Sequence, residues 1–282
     1  MSSLIPEWIV SAFAVATVFV VMFNLGLDMS PRDFARAWER PALMLKALFA
    51  VLVAAPVLAL VVARALHLPR PAEVGMVVMA IAPGAPIALR RSLGAGADRD
   101  FAPGLQVTIA LLAVISMPLS VAVLDEVYSA SATISPWQLL RQVVLAQLLP
   151  LTLGVCLGRM HGRAAAWLQP RLAHLGKWLL GTLGLLAILG FWGMMIATGP
   201  RVATAIALTT LAAIAAGHVL GGPGPATRTA VAMSTALRNP GLALLAAALN
   251  SASPAIKATI LTYLVVAGLT IVPYAIWRSR YS

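Results

Sequence analysis

The chain is made of long apolar runs joined by short connections, and none of the connections has room for a soluble domain. The runs fall at about 5–29, 42–67, 72–90, 102–124, 137–160, 174–197, 202–220, 227–249 and 256–277. A helix needs about 20 residues to cross the hydrocarbon core of a bilayer. Lipid offers the backbone no hydrogen bonds, so a chain within it must close its own, and helices do this segment by segment. The runs are continuous and rich in Leu and Ala, without the alternation of a β-barrel. The expectation is an all-α polytopic membrane protein of about nine transmembrane helices, a single unit over residues 1–282. Glu7 heads the first run with no positive charge before it and no convincing cleavage motif after it, so we read that run as retained.

Composition narrows the functional classes. Hydrophobic residues make up 61% of the chain and charged residues 10%, against about 25% charged in an ordinary soluble domain. That excludes a water-soluble enzyme, a disordered regulator and a secreted disulfide scaffold. One cysteine, Cys156, permits neither an internal disulfide nor a cysteine-rich metal site, and we expect it to be a buried, small apolar residue. Zinc-protease, P-loop and nucleophile-elbow motifs are absent, so no enzymatic activity, metal or cofactor is expected. The formal charge of +11 would point to nucleic acid in a soluble protein. Here the arginines lie between apolar runs and do not alternate with aromatics, which assigns the charge to membrane orientation and leaves the lipid bilayer, not nucleic acid, as the partner.

With the N-terminus outside and the C-terminus inside, thirteen basic residues fall in cytoplasmic connections and five in outer ones, Lys46 and Arg238 lying within spans. The bias fits the positive-inside rule and an odd span count. We expect an integral protein of the bacterial inner (cytoplasmic) membrane.

Two runs are interrupted at their centres, by Ala82-Pro83-Gly84-Ala85-Pro86 in the third and Arg238-Asn239-Pro240-Gly241 in the eighth. Proline removes a donor and clashes with the preceding turn, and glycine loosens the backbone. Unpaired backbone at mid-depth is tolerable only where it lines a cavity or binds something. The two breaks lie five runs apart, an odd number, so they enter from opposite sides. Helices 1–4 and 6–9 are then expected to be inverted repeats, and paired interruptions mark the binding site of a secondary transporter.

The stretch from Phe23 to Met29, with Arg32, Phe34 and Pro41, resembles the bile acid/sodium symporter superfamily, as do segments 82–118 and 228–244. The resemblance covers essentially the whole chain. It implies two crossing broken helices in a core domain (42–124 and 202–277). A panel domain (1–29 and 137–197) would rock against the core, with substrate in the cleft between them. It also implies sodium ligands that are missing here. A Ser-Asn pair in the first broken helix is replaced by Ala88 and Leu89, followed by Arg90; a glutamate and a glutamine in the second are replaced by Ser234 and Arg238. Asn239 is kept, and Gln106, Thr108 and Ser116 are the polar groups left on the following helix. Nor does Cys156 stand where an arsenite carrier of the superfamily has its cysteine.

A guanidinium offers five donors and no acceptor, so a site holding Arg238 is a poor cation site. Buried at mid-depth, Arg238 needs a partner or a task. With Arg90 it is expected to supply the positive charge that sodium supplies in relatives, by propping the crossing or by meeting an anionic substrate. The other reading makes Arg238 a clamp on carbonyls freed by Pro83 or Pro240, and Arg90 and Arg91 the charged end of a span. Asn24 either faces the ligand or makes a helix-packing hydrogen bond. No acid lies at mid-depth, and His67, His161, His174 and His218 lie near span ends, which argues against proton coupling. The function expected is secondary transport of a small or amphipathic organic anion, carboxylate or sterol-like, without ordinary sodium coupling. A passive anion pore, a sodium-coupled symporter with unusual ligands and a membrane sensor stay open. So does homo-oligomerisation, because Gly181, Gly184 and Gly190 suit packing within or between chains.

Overall fold

A computed structural model describes residues 7–29, 31–84, 86–127, 136–249 and 252–280, and among these the regular structure is all helical. The helices are α1 (Glu7–Asp28), α2 (Pro31–Trp38), α3 (Pro41–Ala65), α4 (Arg70–Ala80), α5 (Pro86–Gly94) and α6 (Ala102–Val127), then α7 (136–160), α8 (Gly162–Ala197), α9 (Gly199–Leu220), α10 (Pro225–Ala236), α11 (Pro240–Leu249) and α12 (Pro254–Ser279).

The helical class agrees with the sequence, but the count of nine spans does not. Among the described residues five helices are long and apolar enough to cross a membrane: α3, α6, α7, α9 and α12. A sixth is reached if the two parts of α8, bent by 53° between Leu186 and Leu189, are taken as one span. The discrepancy has a physical cause. A hydropathy run passes over a Pro-Gly break, whereas the backbone stops there, leaving α4, α5, α10 and α11 with only 9 to 12 residues each. The first run contributes the shorter apolar stretch Ala12–Asp28. With nine withdrawn, the odd count behind opposite-sided termini and the division into helices 1–4 and 6–9 lose their premise.

Proline alone does not break these helices. Pro118, Pro170 and Pro273 lie inside α6, α8 and α12, which continue through them, since a long helix embedded among others re-satisfies the freed groups. The first true break adds Gly84, whose φ of +76° only glycine adopts without strain. At the second break Leu237 is extended and Asn239 caps the start of α11.

Close packing follows glycine. A Cβ on Gly26 of α1 would run into the Leu151 carbonyl oxygen of α7, and one on Gly154 into that of Phe23. These two helices therefore touch backbone to backbone, as small residues permit. Gly217 of α9 likewise admits α10, where a Cβ would lie 2.6 Å from Cα of Ala232. The expectation that Cys156 is buried is not met. It is exposed, because Gly154 occupies the inward face of α7 and Cys156, two residues on, points away. At one end of the bundle, α2 and the turn after it are held to the turn before α6 by Arg36–Asp100 and Arg40–Asp98 pairs at 3.1 and 3.2 Å. Asp98 also accepts from the amides of Asp100 and Phe101.

Candidate functional site

The two interruptions meet. The amide of Asn239 donates to the carbonyl of Ala82 at 3.0 Å, so backbone freed at one break satisfies backbone freed at the other. Asn239 then starts α11. Its Oδ1 accepts from the amide of Leu242 at 3.1 Å, the N-cap arrangement that replaces a missing helix bond, with Pro240 as the first helical residue. This bond orients the amide, so Nδ2 is the end turned elsewhere. Nδ2 is buried with no hydrogen-bond partner among the described residues, in a residue only 2% exposed. Gly241 lets α1 approach, since a Cβ there would come 2.9 Å from a methyl of Val18.

Arg238 acts as a clamp. One guanidinium nitrogen donates to the Thr235 carbonyl at 2.6 Å and another to the Val51 carbonyl at 3.0 Å. Both acceptors have lost their ordinary helix donors. For Thr235 that donor would be the amide of Asn239, which is committed to Ala82. Val51 lies in a π-helical stretch of α3, Ala50–Ala54, where the amide of Ala55 turns to Ala50, and the next residue is Pro56, which has no N–H. A buried carbonyl left so would cost about 1–3 kcal/mol; the guanidinium meets two of them. The carbonyls are not those freed by Pro83 or Pro240, which the sequence put forward, but those of Thr235 on α10 and Val51 on α3.

Beside the meeting point lies a cavity of about 480 Å³, within the range of small-molecule sites. Its walls come from α1 and α8 on one side and from α5, the second break and α12 on the other. Asn24, Arg238, Asn239 and Pro240 line it, and so do the exposed cations Arg90, Arg91 and Lys177. The Oδ1 of Asn24 is buried without a partner among the described residues. Arg90, Arg91 and Lys177 make no ion pair among the described residues, which leaves Asp28 as the acid in the wall. Gly181 and Gly184 of α8 and Gly268 of α12 also line it, and a Cβ on any of them would meet nothing within 4 Å.

The family model of the sodium bile acid symporters matches residues 15–198, well over half of the chain. The chain belongs to that family. No curated protein matches the sequence. The region shared with the symporter family holds most of α1, the first break and α8, and the second break lies beyond it.

The remaining sequence candidates separate. Gln106 packs under the first break, its amide nitrogen 3.6 Å from where a Gly84 Cβ would stand. Thr108 is outside the cavity; its hydroxyl bonds to the Gly104 carbonyl and accepts from the Trp38 indole. Ser116 keeps a buried hydroxyl without a partner among the described residues, also outside the cavity wall, and Ser234 is buried on α10 away from it. Pro83 and Gly84 form the break itself; Pro86 opens α5, and Ala85 lies outside the described residues. Among the described residues no group of three or more His, Cys, Asp or Glu could hold a metal ion.

Three features escape a reading of the sequence. Lys177 counts as a connection charge there, at the edge of a run starting near 174, whereas the helix starts at Gly162 and carries Lys177 into the cavity wall. Gln147 is fully buried in the π-helical stretch of α7, with its Nε2 donating to the Ala110 carbonyl of α6 at 2.5 Å and its Oε1 unpartnered among the described residues. The Gln-Leu-Leu-Pro run is its signal, a proline forcing a π-turn just as Pro56 does. The acceptor role of Val51 can be sensed only by placing Pro56 against Arg238.

Proposed function

We propose that this polytopic helical membrane protein is a secondary transporter for a small or amphipathic organic anion, carboxylate or sterol-like. It works by alternating access in the bacterial inner membrane and needs no sodium. The observation that carries the reading is Arg238, clamped between the carbonyls of Thr235 and Val51 in the wall of the cavity. These oxygens, one at the second break and one in the π-helical stretch of α3, are the kind of ligand a hard cation would seek, and a tethered cation already occupies them. The positive charge beside the cavity is then permanent, and a guanidinium leaves no acceptor for an incoming ion.

The anion is met by donors. Nδ2 of Asn239 has no partner among the described residues, α11 begins at Pro240 with its amides toward the break, and Arg90, Arg91 and Lys177 give the cavity an excess of positive charge. The apolar remainder of the wall, including Leu180, Leu264 and Tyr263, takes the body of the ligand. In the motion, residues 1–29 and 137–197 form the panel and residues 42–124 and 202–277 the core. The backbone contact of Gly26 with Gly154 supports α1 and α7 moving as one piece.

Melting of detergent-purified protein with benzoate and with cholate, each in sodium and in choline buffers, tests the reading. The expected result is stabilisation by an anion, equal in both buffers. Stabilisation that requires sodium would sink cation-independent transport, and no effect of either anion would sink the cavity as their site. Saturable counterflow in proteoliposomes is expected for a carrier; its absence alongside anion leak would mean a passive pore.

A further inference from the structure

A second cavity, of about 270 Å³, lies between the end of α5 and the last turns of α12, with Met233 of α10 also in its wall. Its lining is mostly aliphatic: Met233, Ile271, Val272, Ala275 and Ile276, with Arg91 and Ser279 as its polar members. Val272 and Ile276 are 43% and 48% exposed on a helix of membrane-spanning length, so this groove opens toward lipid. On the α5 side a Cβ at Gly94 would meet nothing within 4 Å. Two residues, Arg91 and Ile271, belong to the walls of both the groove and the central cavity.

We propose that the groove is a side entrance by which an amphipathic anion passes from the bilayer into the central cavity. Its apolar body lies along α12 and its anionic head on Arg91. The inference rests on the central cavity being the substrate site. Charge and polarity choose the occupant. Among the described residues Arg91 pairs with no acid, so a neutral lipid would leave the guanidinium unpaired. A wholly polar anion would leave five aliphatic side chains against water. Only a molecule with both parts meets both demands, and carboxylate suits the planar guanidinium. Continuity supplies the route. Ile271 is 1% exposed and stands between the two spaces, while the long side chain of Arg91 reaches both and can carry the head past it. The cargo is thus an anion that partitions into lipid, which narrows the substrate class to the amphipathic end.

The test uses the full-length protein in nanodiscs with two photoreactive probes, a diazirine-bearing palmitic acid and a diazirine-bearing benzoate added from water. Cross-links are mapped by peptide mass spectrometry. The fatty acid is expected to label residues 91–95 and 271–279 as well as the central cavity, and excess unlabelled palmitate should chase both. Gly94→Leu fills the groove without touching the central cavity. It should cut central labelling by the fatty acid about tenfold and leave benzoate labelling unchanged; Ala275→Leu repeats the blockade from α12 should the first variant fold poorly. Arg91→Gln should weaken fatty-acid labelling of the groove. Undiminished central labelling in both filled variants overturns the entrance, and groove labelling that palmitate does not chase marks a resident lipid and also overturns it. Benzoate failing to label the central cavity of the unaltered protein would count against the substrate site itself, a separate failure.

Discussion

Two glycine-lined seams of this molecule are opposite in use. Along α1 and α7, Gly26 and Gly154 bring two backbones into contact and leave no room for a single methyl. Along α8 and α12, Gly181, Gly184 and Gly268 border open space. The residue type is the same, and the sequence around each is apolar. What differs is the neighbour: in the first seam another helix fills the notch, and in the second a cavity does. Glycine in a membrane helix thus marks either a rigid junction or a place kept clear for a ligand, and only the partner surface tells which.

The largest effect should come from breaking the closed seam. Gly154→Val forces a side chain into the Phe23 carbonyl, and overpacking of this kind costs about 1–3 kcal/mol or more. Loss of monodisperse protein on size exclusion, or a melting temperature far below that of the unaltered chain, is the expected result; a normal melt would show that the two helices separate freely.

Next comes the clamp. Arg238→Ala leaves the Val51 and Thr235 carbonyls unmet, each at about 1–3 kcal/mol, and should lower the melting temperature markedly. Added guanidinium chloride at low concentration should recover part of the loss in Arg238→Ala and none in a control destabilised elsewhere, which separates a missing cation from general damage.

Asn239 offers a sharper test. Asn239→Ala removes the cap on Leu242 and should cost about 1 kcal/mol. Asn239→Asp keeps the capping oxygen but turns the free donor into an acceptor, so it should melt almost normally in the absence of ligand while losing anion-induced stabilisation. Equal ligand responses in Asn239→Asp and the unaltered chain would remove Asn239 from the binding site.

The smallest effect on stability belongs to the open seam. Gly181→Ala adds a methyl to empty space and removes the entropy cost of glycine in a helix, so stability should rise by up to about 1 kcal/mol. Gly184→Leu should also fold, yet fill the cavity and abolish the melting response to anions. Destabilisation by Gly181→Ala would mean that the seam closes in the resting protein and that the comparison fails.

The class of the molecule was legible without coordinates. Continuous apolar runs with 10% charged residues can only be helices in lipid, because hydrogen-bond closure within a segment is a local property. The position of both breaks was legible for the same reason: Pro83-Gly84 and Asn239-Pro240 act on their own turn of backbone, and the bond from Asn239 to Ala82 lies where these motifs put it. The burial of Arg238 followed from its depth in an apolar run. The number of full-length helices did not follow, since hydropathy averages over a window and cannot distinguish a proline that a helix runs through, as at Pro118, from one at a break, as at Pro83. Whether a proline bends or breaks a helix depends on which neighbours re-satisfy the freed groups, and those neighbours are distant in the chain. Tertiary structure alone decided that Arg238 reaches Val51, 187 positions away, that Lys177 and Asn24 share one cavity wall, and that Cys156 faces outward. Each is a matter of which helix stands opposite, and backbone propensity is silent on that.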